Sequence, residues 1–193
     1  MNEHRPEAKR TSDDVAFEFG GRLCLDFTWT LRYRAVHPTD LLARPENLTV
    51  WLSAVGLPAG RVTPSELDAA RQFREAIYAA ALDTVVGYAL RPRHLTVINR
   101  WAAAEPAAAR LRPDGTKTLA VRRGHETAAG LTLIAGDAVD LLSSGESRIR
   151  RCEGPNCSLL FHDTSRPGTR RWCSAERCGN KINTKNYRAS LNQ

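Results

Sequence analysis

Over most of its first 145 residues this chain repeats its apolar positions with a helical period. Leu48, Trp51, Leu52 and Val55 stand at i, i+3, i+4 and i+7, the spacing of one helix face, and predict a helix over residues 45–55. Pro45 suits its first turn, and Gly56 its end. A second helix opens on Thr63-Pro64-Ser65-Glu66, a capping box with proline at the first helical position. It is predicted to run to about Ala89, burying Leu67, Ala70, Phe73, Ile77, Ala81 and Val85. Arg91-Pro92 interrupts, and residues 92–104 read as a third helix with Leu95, Ile98 and Trp101 inward. Residues 126–144 return to helix, with Leu131, Ile134, Ala138, Leu141 and Leu142 on the buried side and Gly145 beyond the end.

Three stretches depart from that period. Residues 15–31 are apolar but broken by Gly20-Gly21, which predicts an extended lead-in and then a short helix or strand, periodicity not deciding which. There Asp26 and Trp29 read as a hydrogen-bonded acid beside a core aromatic. Thr39 and Asp40 can cap a short turn at Leu41–Ala43. Residues 110–124 alternate around Pro113-Asp114-Gly115, the signature of a small β-hairpin. The polar first fourteen residues read as a disordered tail without the apolar stretch of a signal peptide, and no run reaches the roughly 20 apolar residues of a membrane span. These features point to the cytoplasm, where thiols stay reduced.

That compartment changes how the cysteines are read. Four of the five lie between residues 152 and 178 in two pairs of identical spacing: Cys152 and Cys157, then Cys173 and Cys178. Tetrahedral zinc takes four soft ligands most simply as two short-range pairs on tight turns. Gly154, Pro155 and Asn156 are turn formers between the first pair, while the second leads into a helical-looking segment. Two disulfides would need an oxidising compartment, and a catalytic zinc would keep an open position with histidine or carboxylate ligands. His162 could replace one thiolate but has no paired ligand nearby. A structural zinc site on four cysteines fits best. Cys24, in the context Leu23-Cys24-Leu25, reads as a buried, inert thiol.

The net charge of +7 is not spread evenly. Residues 148–193 hold ten Lys or Arg against three acids, whereas residues 1–147 balance at eighteen of each. Four thiolates on one divalent ion would leave about +5 on the small module. Such concentration is the footprint of polyanion binding. Arg177, Lys181, Lys185 and Arg188 fall within one helical arc, and Arg166, Arg170 and Arg171 precede them; these seven are the candidate nucleic-acid contacts. Trp172, Phe161 and Tyr187 could stack on bases, although a module this small needs the first two for its own core. Ile182 and Ala189 lie on a separate face that can pack on the zinc site. By contrast, His37, His94 and His125 are scattered, no phosphate-cradling glycine loop follows a strand, and no nucleophile–base arrangement marks an enzyme.

At these residues the chain resembles the CGNR zinc-finger proteins, which carry an N-terminal ABATE domain. The resemblance rests on Cys152, Cys157, Phe161-His162-Asp163, Ser165-Arg166, Arg170-Arg171-Trp172-Cys173 and Cys178-Gly179-Asn180-Lys181. In the N-terminal part it rests on Leu23-Cys24-Leu25-Asp26-Phe27 and Leu48-Thr49-Val50-Trp51-Leu52. It implies metal binding and DNA binding in transcription regulation, with RNA as an alternative partner. Lys181 stands where the family has arginine, which keeps the charge but loses the planar fork for bidentate contacts. Trp29-Thr30 stands where Asn-Thr is expected.

The expectation is a mainly α protein with a small β-hairpin. After the tail (1–14) comes a helical ABATE-like domain (15–145), then a treble-clef-like or ribbon-like CGNR-type zinc module (148–193). The expected function is non-enzymatic DNA binding, with the helical domain sensing a small-molecule ligand, forming a homodimer or recruiting a partner. The alternative is an RNA-binding or protein-docking zinc module.

Overall fold

The computed structural model describes residues 15–145, 148–180, 182 and 184. The predicted tail therefore lies outside the described residues. An extended lead-in runs into α1 (Leu23–Thr28), so the helical alternative holds for that stretch. A two-residue strand β1 (Leu31–Arg32) then pairs antiparallel with β2 (Thr39–Asp40), a contact the apolar pattern did not indicate. Asp40 also caps the following turn, its Oδ1 accepting the Leu42 N–H at 2.9 Å.

Helix α2 spans Pro45–Ala54, and α3 spans Pro64–Val86. The capping box forms: Thr63 N–H donates to Glu66 Oε2 at 2.8 Å, and Glu66 N–H donates to Thr63 Oγ1 at 3.3 Å. α3 stops three residues short of the expected Ala89 because Gly87 takes φ +81°. That left-handed step turns the next two N–H groups back onto Thr84 and Asp83 carbonyls. Helix α4 (Pro92–Ala102), the hairpin β3 (Ala108–Leu111)–β4 (Lys117–Ala120) and α5 (Glu126–Ser143) follow much as the pattern predicts. On α4, Ile98 is buried, while Leu95 and Trp101 are both half-buried.

The helices close on one core. Phe27 sits between Trp51 and Phe73 with ring centroids 5.1 and 5.9 Å apart, and Phe73 meets Trp101 at 5.6 Å. Leu48, Leu52, Ile77, Leu131 and Ile134 fill the space around them. Each such side chain contributes about 1.5–3 kcal/mol by leaving water. Beside that core, buried Arg74 forms a bidentate pair with Asp40 at 2.7 and 3.0 Å, which pins the β2 segment to α3. Cys24 is fully buried; burial, reinforced by the Asp137 carboxylate, pushes its thiol well up, as an inert core thiol requires.

Beyond α5 a third antiparallel pair forms, β5 (Ile149–Arg151) with β6 (Leu160–His162). Ile149 and Leu160 enter the helical core, so the C-terminal module is packed onto the bundle rather than tethered to it. Trp29 completes the joint. Its indole lies in the apolar cluster of the cysteine module, and its Nε1–H donates to the Leu160 carbonyl at 2.6 Å. Tyr78 Oη donates to the Ser158 carbonyl at 2.9 Å from α3.

Candidate metal centre and basic surface

Cys152 follows β5 directly, and Cys157 precedes β6, so the first cysteine pair is the turn of a hairpin. The turn closes through Cys157 N–H to the Gly154 carbonyl at 2.9 Å, with Asn156 at φ +63°. Cys173 and Cys178 bracket the start of a short π-helical turn, Ala175–Gly179, capped by Ser174 Oγ accepting from Arg177 N–H at 3.0 Å. A hairpin knuckle facing a helical turn corresponds to the treble-clef-like form of the two that were expected, treble-clef-like or ribbon-like.

The four sulfurs lie within 4.8 Å of one another. Cys157 to Cys173 is 3.9 Å and Cys173 to Cys178 is 3.8 Å. A tetrahedron with metal–sulfur bonds of about 2.3 Å has edges of about 3.8 Å, whereas a disulfide would draw two sulfurs to about 2.05 Å. The cage therefore has the size of a zinc site, and all five cysteines are free. Its electrostatics agree. Hydrogen bonds from the Cys157 and Cys173 thiols, with the N–H groups of Cys173 and Gly154, hold Cys152 down at about 2. Burial and the neighbouring thiolate charges push Cys178 up to about 12, and hydrogen bonding to Cys152 raises Cys173. Four buried sulfurs cannot all ionise side by side unless a cation neutralises them. All four are buried, and among the described residues no histidine or carboxylate joins them, which suits a closed structural centre.

The ligands are held by groups the cysteine spacing alone did not single out. Gly154 leaves room that any other residue would fill: a Cβ there would stand 2.7 Å from Cys178 Sγ. Asp163, fully buried, accepts from Ser165 N–H at 2.9 Å and Arg170 N–H at 2.8 Å, and so shapes the loop between the two knuckles. Burial opposes its charge, but hydrogen bonds from Ser165 and Arg170 outweigh it and keep the carboxyl below its usual range. The Phe161-x-Asp163 pattern was the available signal for this residue. Phe161 is buried in the cysteine cluster, with Trp172 and Ile182 packed against it, so these serve the module's own core.

The candidate contacts divide. Arg166 is exposed, and among the described residues it makes no ion pair. Arg171 is exposed but paired with Glu153 at 2.6 Å. Arg170 and Arg177 depart from the expectation of free cations. Arg170 donates from Nε to the Trp172 carbonyl at 2.7 Å, reaches the Cys173 carbonyl, and lies over Phe161. Arg177 binds both oxygens of Glu18 at 3.0 and 2.8 Å and stacks over Tyr33. A guanidinium fork beside unsatisfied carbonyls or a carboxylate finds better partners there than in water. Lys181, Lys185 and Arg188 lie outside the described residues, as do Tyr187 and Ala189.

A family model described as "Putative stress-induced transcription regulator", ABATE, matches residues 21–145. The chain belongs to the ABATE family. The CGNR zinc finger matches residues 148–190, the module that carries the sulfur cage. This ABATE protein is thus a zinc-binding protein, and Cys152, Cys157, Cys173 and Cys178 form a buried cluster that could hold the ion. A search of curated proteins found no match. Among the described residues no helix is long and apolar enough to cross a membrane.

Proposed function

We propose that this chain is a non-enzymatic, cytoplasmic nucleic-acid-binding protein, a DNA-binding transcription regulator organised by zinc. The helical domain then carries the signal, by sensing a small-molecule ligand, forming a homodimer or recruiting a partner. The reading rests on one observation. The chain's positive excess lies in residues 148–193, the segment that also carries the sulfur cage and the β5–β6 pair. Arg151, Arg166 and Arg171 are exposed on it. The regulatory description of the ABATE family supports the same reading.

Phosphate contacts make affinity fall with salt at about 0.9 log units per neutralised phosphate. A fluorescence titration of labelled duplex DNA from about 50 to 200 mM salt should therefore give a steep log–log slope. Neutralising four cations together (Arg166→Gln, Arg171→Gln, Lys181→Gln, Lys185→Gln) should remove about 3 units of that slope. Absence of duplex binding at about 50 mM salt refutes the reading. Preference for structured RNA over the duplex replaces DNA with RNA as the partner.

A further inference from the structure

The even charge balance of residues 1–147 conceals a second basic segment. Residues 91–123 hold eight Lys or Arg against two acids, Glu105 and Asp114, a density of positive charge comparable to that of the zinc module. All eight cations are exposed. Arg91 stands 3.4 Å from Asp83, and Arg93 and Arg122 lie against neighbouring histidines. Among the described residues Arg100, Arg110, Arg112 and Lys117 make no ion pair. This contrasts with Arg170 and Arg177 of the zinc module, whose guanidinium groups are taken up within the protein.

Three of these unpaired cations, Arg110, Arg112 and Lys117, sit on an element of suitable shape. In the β3–β4 hairpin Arg110 faces Thr118, and Leu111 faces Lys117. Arg112 N–H donates to the Thr116 carbonyl at 2.8 Å to close the tip. β3 is exposed along its whole length, and Leu111 near the tip is 79% exposed. Two strands about 4.8 Å apart form a ribbon that the major groove of B-DNA admits. The ribbon and the zinc module also flank the same loop. Gly56 lines both the 660 Å³ cleft bordered by Lys117 and the 1010 Å³ cleft bordered by Arg170 and Glu176.

We propose that the β3–β4 hairpin, with Arg100 at the end of α4, is a second phosphate-backbone contact that seats duplex DNA alongside the zinc module. The proposal rests on the nucleic-acid reading above and extends it to a surface of the helical domain. It is tested in the full-length, zinc-loaded chain with the same duplex titration. The triple variant Arg110→Gln, Arg112→Gln, Lys117→Gln should lose about 2–3 units of log–log slope and bind at least about tenfold more weakly at 100 mM salt. The charge-conserving variant Arg110→Lys, Arg112→Lys should keep the slope. All three side chains are exposed, so melting temperature and zinc content should match those of the unsubstituted protein. An unchanged slope in the triple variant, beside a reduced slope in the zinc-module variant, overturns this proposal and leaves the wider reading intact. A reduced slope only in the triple variant upholds it and removes the zinc module from the interface. Failure of the unsubstituted chain to bind any duplex overturns both.

Discussion

Replacing Gly154 by alanine tests the sulfur cage at its tightest point. The added Cβ would stand 2.7 Å from Cys178 Sγ and 3.2 Å from the Cβ atoms of Cys157 and Cys178. Relieving the first contact to an ordinary separation requires a shift of about 0.7 Å, whereas metal–ligand distances tolerate about 0.2 Å. The strain cannot escape into a flexible side-chain end, because the atom met is itself a ligand and the two nearest neighbours are ligand Cβ atoms. Gly154→Ala should therefore weaken zinc binding by about 10- to 100-fold, the range seen when groups supporting a metal site are altered. That is about 1.4–2.7 kcal/mol. The assay is competition with a chromophoric chelator near pH 7, with elemental analysis fixing one zinc per unsubstituted chain as the starting point. Gly136→Ala is the control. It lies in α5 with nothing within 4 Å of the added carbon, so it should leave zinc affinity unchanged and stabilise the fold by at most about 1 kcal/mol. Zinc affinity within twofold of the original in Gly154→Ala would show that the four sulfurs do not converge on a metal as described.

Two other substitutions probe the joint and the charged core. Trp29→Phe keeps most of the packing but loses the bond to the Leu160 carbonyl and should cost about 1 kcal/mol. Trp29→Ala should cost about 3–5 kcal/mol and weaken zinc retention too; denaturant melts in excess zinc that show no change would contradict a shared core. Asp40→Asn leaves buried Arg74 with only Glu75 as a charged partner and should cost about 2 kcal/mol near pH 7. Burial raises the Asp40 carboxyl, but hydrogen bonding and charge from Arg74, helped by the Leu42 N–H and Arg71, lower it more. Its folded pKa is therefore below its unfolded value, and its stabilisation is present above about pH 4 and lost as pH falls through the folded pKa. The stability difference between Asp40→Asn and the unsubstituted chain should shrink below about pH 4, as read by urea melts across pH; a constant difference would refute the ion-pair account.

The helices were legible because their determinants are local. The period of Leu48, Trp51, Leu52 and Val55, and the Thr63–Glu66 capping box, need only neighbours within a turn or two. The sulfur cage was legible for a related reason, since two short-spaced pairs can meet only by closing one loop. Helix ends and paired two-residue strands were not. The stop at Gly87 depends on one left-handed residue, and β1–β2 is too short to carry a period.

The fate of individual charges escaped the sequence altogether. Counting could place an excess on residues 148–193, but not that Glu18, 159 positions away, would take up Arg177. Nor could a net total of zero reveal that the cations of residues 91–123 are all exposed, three of them on the β3–β4 hairpin, while most of the acids balancing them lie elsewhere in the chain. Residue identity and spacing alone determined the helical class, the capped helix starts and the metal-binding chemistry, because those follow from short-range geometry. Which arginines remain free, and the packing of Trp29 on the zinc module, were decided only by the folded chain, because ion pairs and core contacts form between segments far apart in sequence.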